Sequence, residues 1–209
     1  MLHQSAFVLL SLVGSIFAQD TNLATVKKAF DEAHIPGNLS LPFHPKVLLE
    51  VSFPQNIGRP ITLHAGIQLP RNATAGPPFF SVVGPAGKGP FVIATVDLDP
   101  PTPQAPTLAQ IRHFLGGNFV YKAPKESVLL TNRTPAVSEF RQPTPPAGSD
   151  PHRYVFLLFE QSKTFNDQTL ITPTSPIFNF NISSFAAAVG LGQPIGGTFM
   201  LVGPDPTTA

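Results

Sequence analysis

The sequence contains no cysteine, so neither disulfide bonds nor thiolate chemistry can contribute to its stability or function. Charged residues are also scarce: they make up 12% of the 209 residues, and the net charge is +1. Typical proteins carry about twice that share of charge. Since no basic stripe is present, the sequence argues against a nucleic-acid partner. The fold must therefore be held together mainly by apolar packing.

Proline, in contrast, is abundant, with 25 residues spread through the chain. Proline interrupts helices and favours short strands joined by ordered loops. Many short apolar segments separated by turn signals predict a single, mostly β domain over residues 19–209. Leu23, Val26 and Phe30 recur at helical spacing, so an N-terminal helix is expected, capped by Thr21 and ending at residues 34–37.

The first 18 residues have the pattern of a secretory signal peptide. The segment Leu2–Ala18 is uncharged, has an apolar centre at Phe7–Val13, and is too short to span a membrane. It lacks the usual Lys or Arg near Met1, and the alternative is a buried N-terminal element. Residues 1–18 are therefore predicted to be removed, which places the protein outside the cell or in the secretory pathway or vacuole.

Acceptor sequences for N-glycosylation agree with secretion. Asn-x-Ser/Thr occurs four times, and each single occurrence is a weak signal. The predicted glycosylation sites are Asn38, Asn72, Asn132 and Asn181.

An apolar strand followed by acids is the first candidate functional feature. Phe91–Val96 is continuously apolar or small, which is typical of a strand buried on both faces. Asp97 and Asp99 follow and, by strand alternation, are expected to point to the same side. Pro100, Pro101 and Pro103 then stop the strand.

Two histidines accompany these acids on predicted strands. His113 lies in the middle of Ile111–Leu115, and His152 shares a strand face with Tyr154 after a proline-glycine loop. An imidazole beside a carboxylate retains its proton more readily. We therefore expect His113 and His152, together with the Tyr154 hydroxyl, to donate hydrogen bonds to an anion.

These segments together resemble the phosphatidylethanolamine-binding protein family, over roughly Pro45–Met200. The resemblance rests on Asp97-Leu98-Asp99-Pro100-Pro101, Arg112-His113-Phe114, Pro145-Pro146 and His152-Arg153-Tyr154, with Gly197-Thr198 as a further match. It implies antiparallel β-sheets in a Greek-key sandwich, with few short helices. It also implies a cis peptide at Pro100–Pro101.

The resemblance implies a small anion-binding cavity at the edge of the sheet. The ligand-binding residues carried over are Asp97, Asp99, His113, Pro146, His152 and Tyr154, while Arg153 is predicted to be structural. Ile111 and Arg112 depart from the family pattern, and Arg112 is expected to add positive charge near the cavity. The tail Gly203–Ala209 is expected to be too short and proline-rich for the C-terminal helix of many relatives.

The expected function is a secreted, monomeric binding protein for phosphate or phosphoethanolamine head groups of phospholipids or other anionic or zwitterionic ligands. The alternative is inhibition of a serine peptidase of the carboxypeptidase type. An enzyme is not predicted, because the sequence has no Gly-x-Ser-x-Gly motif. Asp97, His113 and His152 could form a two-His, one-carboxylate metal set, but neither spacing nor resemblance supports a metal, and no cofactor is expected.

Overall fold

The structure is a computed structural model that describes residues 19–122 and 128–206. Within these residues the chain forms nine strands and three α-helices, with short 3-10 turns at Arg71–Thr74 and Phe165–Asp167. The elements in chain order are α1 Leu23–Glu32, α2 Ile35–Leu39, β1 Leu48–Phe53, β2 Ile61–Thr62, β3 Ile67–Leu69, β4 Phe79–Val83, β5 Phe91–Asp97, β6 Ile111–Tyr121, β7 Leu130–Asn132, β8 His152–Glu160, α3 Ile182–Ala188 and β9 Gly196–Val202.

The strands form two sheets. A three-stranded antiparallel sheet has the order β2-β1-β4, and a six-stranded sheet has the order β3-β9-β8-β5-β6-β7. The mostly β fold class is therefore confirmed. The second sheet, however, is mixed rather than purely antiparallel, because β3 runs parallel to β9.

The six-stranded sheet lies between two apolar layers. One face packs against the helices, through residues such as Val92, Leu157 and Phe30. The other face packs against the three-stranded sheet, through residues such as Ile93 and Phe156. Because its central strands are covered on both sides, β5 is buried at all seven positions. This explains the continuous apolar run in its sequence.

The N-terminal helix differs from prediction at both ends. Its cap is Asn22 rather than Thr21, and the Asn22 side chain accepts a 2.7 Å hydrogen bond from the Ala24 N–H. After a left-handed residue at His34 the chain continues into α2, where the sequence had predicted only a helix end. Pro36 occupies the first turn of α2, where a missing N–H costs nothing.

One prediction concerns a segment beyond the described limits. The predicted signal peptide, residues 1–18, lies outside the described residues. Among the residues that are described, no helix is long and apolar enough to cross a membrane.

Candidate ligand-binding cavity

A cavity of about 610 Å³ lies at the end of the six-stranded sheet where β5 stops and β6 and β8 begin. Strand residues and three loops contribute to its wall. The lining residues are Asp97, Pro100, Pro101, Leu108, Ile111, His113, Arg141, Gln142, Thr144, Pro146, His152, Tyr154, Ile177 and Phe178.

Strand register brings the predicted polar residues together. Asp97 pairs with Tyr154 on β8 and with Ile111 on β6. A bulge in β6 lies between the pairs Val96–Arg112 and Thr95–Phe114, so His113 is the extra residue. Since Ile111 and His113 lie two apart on β6, both side chains reach the cavity. Four residues predicted from separate segments, Asp97, His113, His152 and Tyr154, therefore converge on one cavity.

Asp97 and His152 form a buried ion pair. Their side chains are 3% and 1% exposed, and Nδ1 of His152 lies 2.9 Å from Oδ2 of Asp97. The other oxygen of Asp97 accepts a 2.9 Å hydrogen bond from the Asp99 N–H. Burial alone would lower the pKa of His152, but the hydrogen bond and the charge of Asp97 outweigh it and raise the pKa above its ordinary value. This environment favours a protonated His152, and the charges of such an ion pair cancel.

Ser149 extends this pair into a Ser–His–Asp series. Ser149 Oγ lies 3.0 Å from His152 Nε2, but it donates its own proton to the Asp150 carbonyl. Nε2 also lies 3.1 Å from the Pro101 carbonyl, which can only accept a hydrogen bond. Nε2 therefore carries a proton, whereas a general base would present a lone pair to the serine. Ser149, His152 and Asp97 are therefore hydrogen-bonded in the same order as a hydrolase triad. The protons, however, are not placed for His152 to act as a general base.

The pKa of His113 is shifted in the opposite direction. Its Nδ1 lies 2.9 Å from the Arg141 carbonyl, so Nδ1 is the protonated nitrogen. Burial lowers the pKa of His113 below its ordinary value, and it outweighs the hydrogen bond to the Arg141 carbonyl and the charge of Asp97, which both raise the pKa. The lowered pKa favours a neutral ring, in which Nε2 is an acceptor with no hydrogen-bond partner among the described residues. The raised pKa of His152 agrees with the expected charged donor, whereas the lowered pKa of His113 runs against it, and the donor role of both histidines stays a prediction.

Tyr154 lies between the two histidines. Its ring meets the edge of His113 at a centroid distance of 5.0 Å and is nearly parallel to His152 at 6.3 Å. Burial and the negative charge of Asp97 raise the pKa of Tyr154 well above its ordinary range. The phenol therefore keeps its proton at physiological pH and has the Asp97 carboxylate as a hydrogen-bond acceptor.

Asp99 does not line the cavity, contrary to prediction. Both of its oxygens accept hydrogen bonds from the Arg153 guanidinium, from Nε at 2.9 Å and from Nη2 at 2.5 Å. Asp99 also accepts a hydrogen bond from the Arg153 backbone N–H at 2.7 Å. Strand β5 ends at Asp97, so side-chain alternation does not extend to Asp99. The Arg153 guanidinium also donates a hydrogen bond to the Ala33 carbonyl. This geometry agrees with the structural role that was expected for Arg153.

Arg112 likewise lies away from the cavity. It is 1% exposed, and its guanidinium donates to Ser138 Oγ and to the carbonyls of Ser175 and Pro176. Its guanidinium carbon lies 5.1 Å from the Phe180 ring centroid. These contacts hold the loop that carries Ile177 and Phe178 into the cavity wall. Arg112 itself is not among the lining residues, so the positive charge expected from it does not face the cavity.

The cavity cation that the sequence argument missed is Arg141. It lines the cavity and is exposed. Its backbone N–H donates to the His113 carbonyl at 2.9 Å while its carbonyl accepts from the His113 ring. No local pattern marks this residue, since it follows an irregular segment. Only the pairing of that segment with β6 brings it to the site.

The rest of the wall is largely apolar. Pro146 lines it as predicted, and Leu108, Ile111, Ile177 and Phe178 are further apolar lining residues. Across the described ranges, no group of three or more His, Cys, Asp or Glu residues is placed to hold a metal ion. The arrangement is therefore a polar floor with apolar sides. The Pro100–Pro101 peptide is cis, as the resemblance predicted.

Comparison with known proteins shows which family and which proteins this chain is similar to. The family model of the phosphatidylethanolamine-binding protein matches residues 57–200. Protein FLOWERING LOCUS T of Arabidopsis thaliana is 28% identical over 170 residues, which cover 80% of this chain and 86% of that protein. Protein MOTHER of FT and TFL1 homolog 2 of Oryza sativa subsp. japonica is 31% identical over 109 residues, or 50% of this chain. The matched part of this chain spans 55% of the length of the Oryza sativa protein. It spans only 8% and 29% of the lengths of two other similar proteins.

A solved structure shows the same fold. The carboxypeptidase Y inhibitor, in complex with its cognate proteinase, superposes with a TM-score of 0.72 at 19% identity. The match covers 91% of this chain and 98% of the inhibitor.

Proposed function

Because this chain belongs to the phosphatidylethanolamine-binding protein family, we propose that its cavity binds the phosphoryl group of a phosphate or phosphoethanolamine-type ligand. The observation that carries the proposal is the convergence of Asp97, His113, His152 and Tyr154 on one cavity whose remaining wall is largely apolar. The cavity volume of about 610 Å³ lies within the usual range for small-molecule sites.

The buried carboxylate does not conflict with an anionic ligand. Asp97 is compensated by the His152 imidazolium at 2.9 Å, so the pair contributes little net charge at the cavity floor. Tyr154 and the ring of His113 remain as groups that can contact a phosphoryl oxygen, and the apolar wall can pack against the rest of the ligand. Nothing in this arrangement requires a nucleophile, which supports binding rather than catalysis.

Calorimetry tests this proposal. The ligands are inorganic phosphate and phosphoethanolamine, with ethanolamine as the control that lacks the anion. We expect both phosphates to bind and ethanolamine not to bind. His113→Gln should weaken binding about ten- to a hundred-fold, since a hydrogen bond to a charged group is lost.

Leu115→Ala is the matched control on the same strand. Leu115 is fully buried against the helices, so its truncation should lower stability but leave affinity unchanged. Absence of phosphate binding by the wild type, or equal affinity in wild type and His113→Gln, would refute the proposed site.

We further propose that the protein is secreted and N-glycosylated. All four acceptor residues, Asn38, Asn72, Asn132 and Asn181, are exposed, which supports access for the glycosylation machinery. Intact mass spectrometry before and after glycosidase treatment should show a chain that starts near Gln19 and loses mass on treatment. A chain that keeps Met1 and shows no mass change would contradict both parts.

Inhibition of a serine carboxypeptidase is a second candidate function. It is favoured by the fold match that covers 98% of the carboxypeptidase Y inhibitor. The test measures peptide hydrolysis by a serine carboxypeptidase with increasing amounts of this protein, with His113→Gln in parallel. Inhibition that survives in the variant would indicate protein–protein docking independent of the cavity, and no inhibition by either protein would reject this function.

A further inference from the structure

Arg141 and His113 are held together as one unit at the cavity. The Arg141 N–H donates to the His113 carbonyl, and the His113 Nδ1–H donates to the Arg141 carbonyl, each at 2.9 Å. These two bonds fix the backbone of residue 141 beside the imidazole. The Arg141 side chain and the His113 ring therefore line the same part of the wall.

The guanidinium of Arg141 is available to a ligand. Within the described residues it makes no ion pair, whereas Arg153 binds Asp99 and Arg71 binds Asp205. Arg112 is likewise engaged, with the Ser138 hydroxyl and two carbonyls. Arg141 thus differs from the other arginines named here, and a guanidinium is well suited to bind two oxygens of a phosphate.

Nε2 of His113 would face the same part of the ligand as Arg141. It can form a hydrogen bond to an anion only if another group supplies the proton. With Nδ1–H bound to a carbonyl, Nε2 presents a lone pair, which would repel a fully deprotonated oxyanion. The charged or titratable groups around this ring are Asp97, His152, Arg141 and Tyr154. Asp97 and His152 compensate each other, Arg141 is cationic and the Tyr154 hydroxyl is hydrogen-bonded to Asp97, so none of them offers Nε2 a proton.

We propose that Arg141 and Nε2 of His113 select phosphate monoesters over diesters. Arg141 binds two anionic oxygens, and Nε2 shares one proton with the third. A monoester carries that proton as P–OH below its second pKa of about 6, and can regain it at modest cost above that value. A diester, such as the head group of an intact phospholipid, has no P–OH, so the neutral imidazole itself must be protonated. This inference rests on the proposed phosphoryl site and specifies its ligand class.

Proton uptake should therefore accompany binding. At pH 8 the monoester and His113 are both deprotonated, so about one proton is taken up with each bound anion. Affinity for the monoester should consequently fall up to about tenfold per pH unit above neutrality. The Tyr154 phenol does not titrate in this range.

The experiment compares phosphoethanolamine with glycerophosphoethanolamine, a monoester and a diester that share one head group. Calorimetry at pH 6 and pH 8, in buffers of different ionisation enthalpy, gives affinity and proton uptake together. We expect the monoester to bind at least about tenfold more tightly than the diester, with about one proton taken up at pH 8. Vesicles of phosphatidylethanolamine form a third arm for the intact lipid.

Two variants assign the residues. Arg141→Gln should weaken monoester binding about tenfold and reduce its salt dependence, because Arg141 is exposed and its ion pair is partly screened. His113→Gln should abolish the proton uptake. Arg59→Gln, which removes a charge from an exposed loop outside the cavity, should match the wild type in both respects.

The outcomes separate this inference from the proposed function. If the wild type binds phosphoethanolamine but binds the diester or the vesicles equally well, or without proton uptake at pH 8, the shared-proton site is refuted while the phosphoryl site stands. Unchanged affinity in Arg141→Gln refutes the role of Arg141. If the wild type binds none of the phosphates, the proposed function fails as well.

Discussion

Replacement of Arg153 by methionine should destabilise the fold without acting on the ligand directly. The variant keeps most of the side-chain volume but removes the guanidinium bonds to Asp99, at 2.9 and 2.5 Å, and the bond to the Ala33 carbonyl at 2.6 Å. Asp99, with 1% of its side chain exposed, retains only the 2.7 Å bond from the Arg153 backbone N–H. The variant thus leaves a buried carboxylate without its cation.

The magnitude follows from that uncompensated charge. Breaking a buried ion pair by removing one partner costs about 3–5 kcal/mol. The Arg153 side chain is 19% exposed, so the lower part of this range is expected. For a chain of this size a loss of about 3–4 kcal/mol corresponds to a decrease in Tm of roughly 6–16 °C. Urea unfolding monitored by circular dichroism measures the free energy of unfolding.

A second substitution identifies the cause. Asp99→Asn in the Arg153→Met background removes the buried charge, so the double variant should be more stable than Arg153→Met alone by about 1–3 kcal/mol. Arg59→Met is the control for loss of an exposed arginine. The reasoning is refuted if Arg153→Met is no less stable than Arg59→Met, or if Asp99→Asn gives no recovery. A direct ligand role for Asp99 would instead appear as lost phosphate affinity in a stable Asp99→Asn protein.

Two further predictions concern packing and pH. In Gly117→Ala the new Cβ would overlap the ring of Phe165, which is buried, so we expect a loss of about 1–3 kcal/mol in urea unfolding, while Gly37→Ala, with open space around it, should be neutral or stabilising. The raised pKa of His152 gives stability that is present below pH 6.5 and lost as pH rises through its folded-state pKa; the lowered pKa of His113 gives stability that is present above pH 6.5 and lost as pH falls. His152→Gln should therefore flatten the alkaline side of the stability profile and His113→Gln the acid side, and profiles that keep the wild-type slopes would contradict these assignments.

Local sequence signals were sufficient where a residue's environment follows from its neighbours in the chain. The continuous apolar run at Phe91–Val96 predicted a strand buried on both faces, and β5 is that strand. Alternation placed His152 and Tyr154 on one face, and both line the cavity. The resemblance then brought Asp97 and His113 to the same site, although 55 positions separate Asp97 from His152.

Local signals failed where the outcome depended on contacts between distant segments. Asp99 was expected beside Asp97, but the strand ends before it and Arg153 binds both of its oxygens. Arg112 was expected at the cavity, yet it is turned to the opposite side, where carbonyls 63 and 64 positions away accept its hydrogen bonds.

Protonation was decided in the same way. An Asp beside a His predicted two charged histidines, but the acceptors at each ring differ. His152 is bonded to a carboxylate and a carbonyl, which require protons on both nitrogens, while His113 is bonded to one carbonyl and is otherwise desolvated. The sequence determined which residue types reach this end of the sheet, because strand periodicity is local. Only tertiary structure decided their charges and partners, because burial and hydrogen bonding arise from segments that are far apart in the chain.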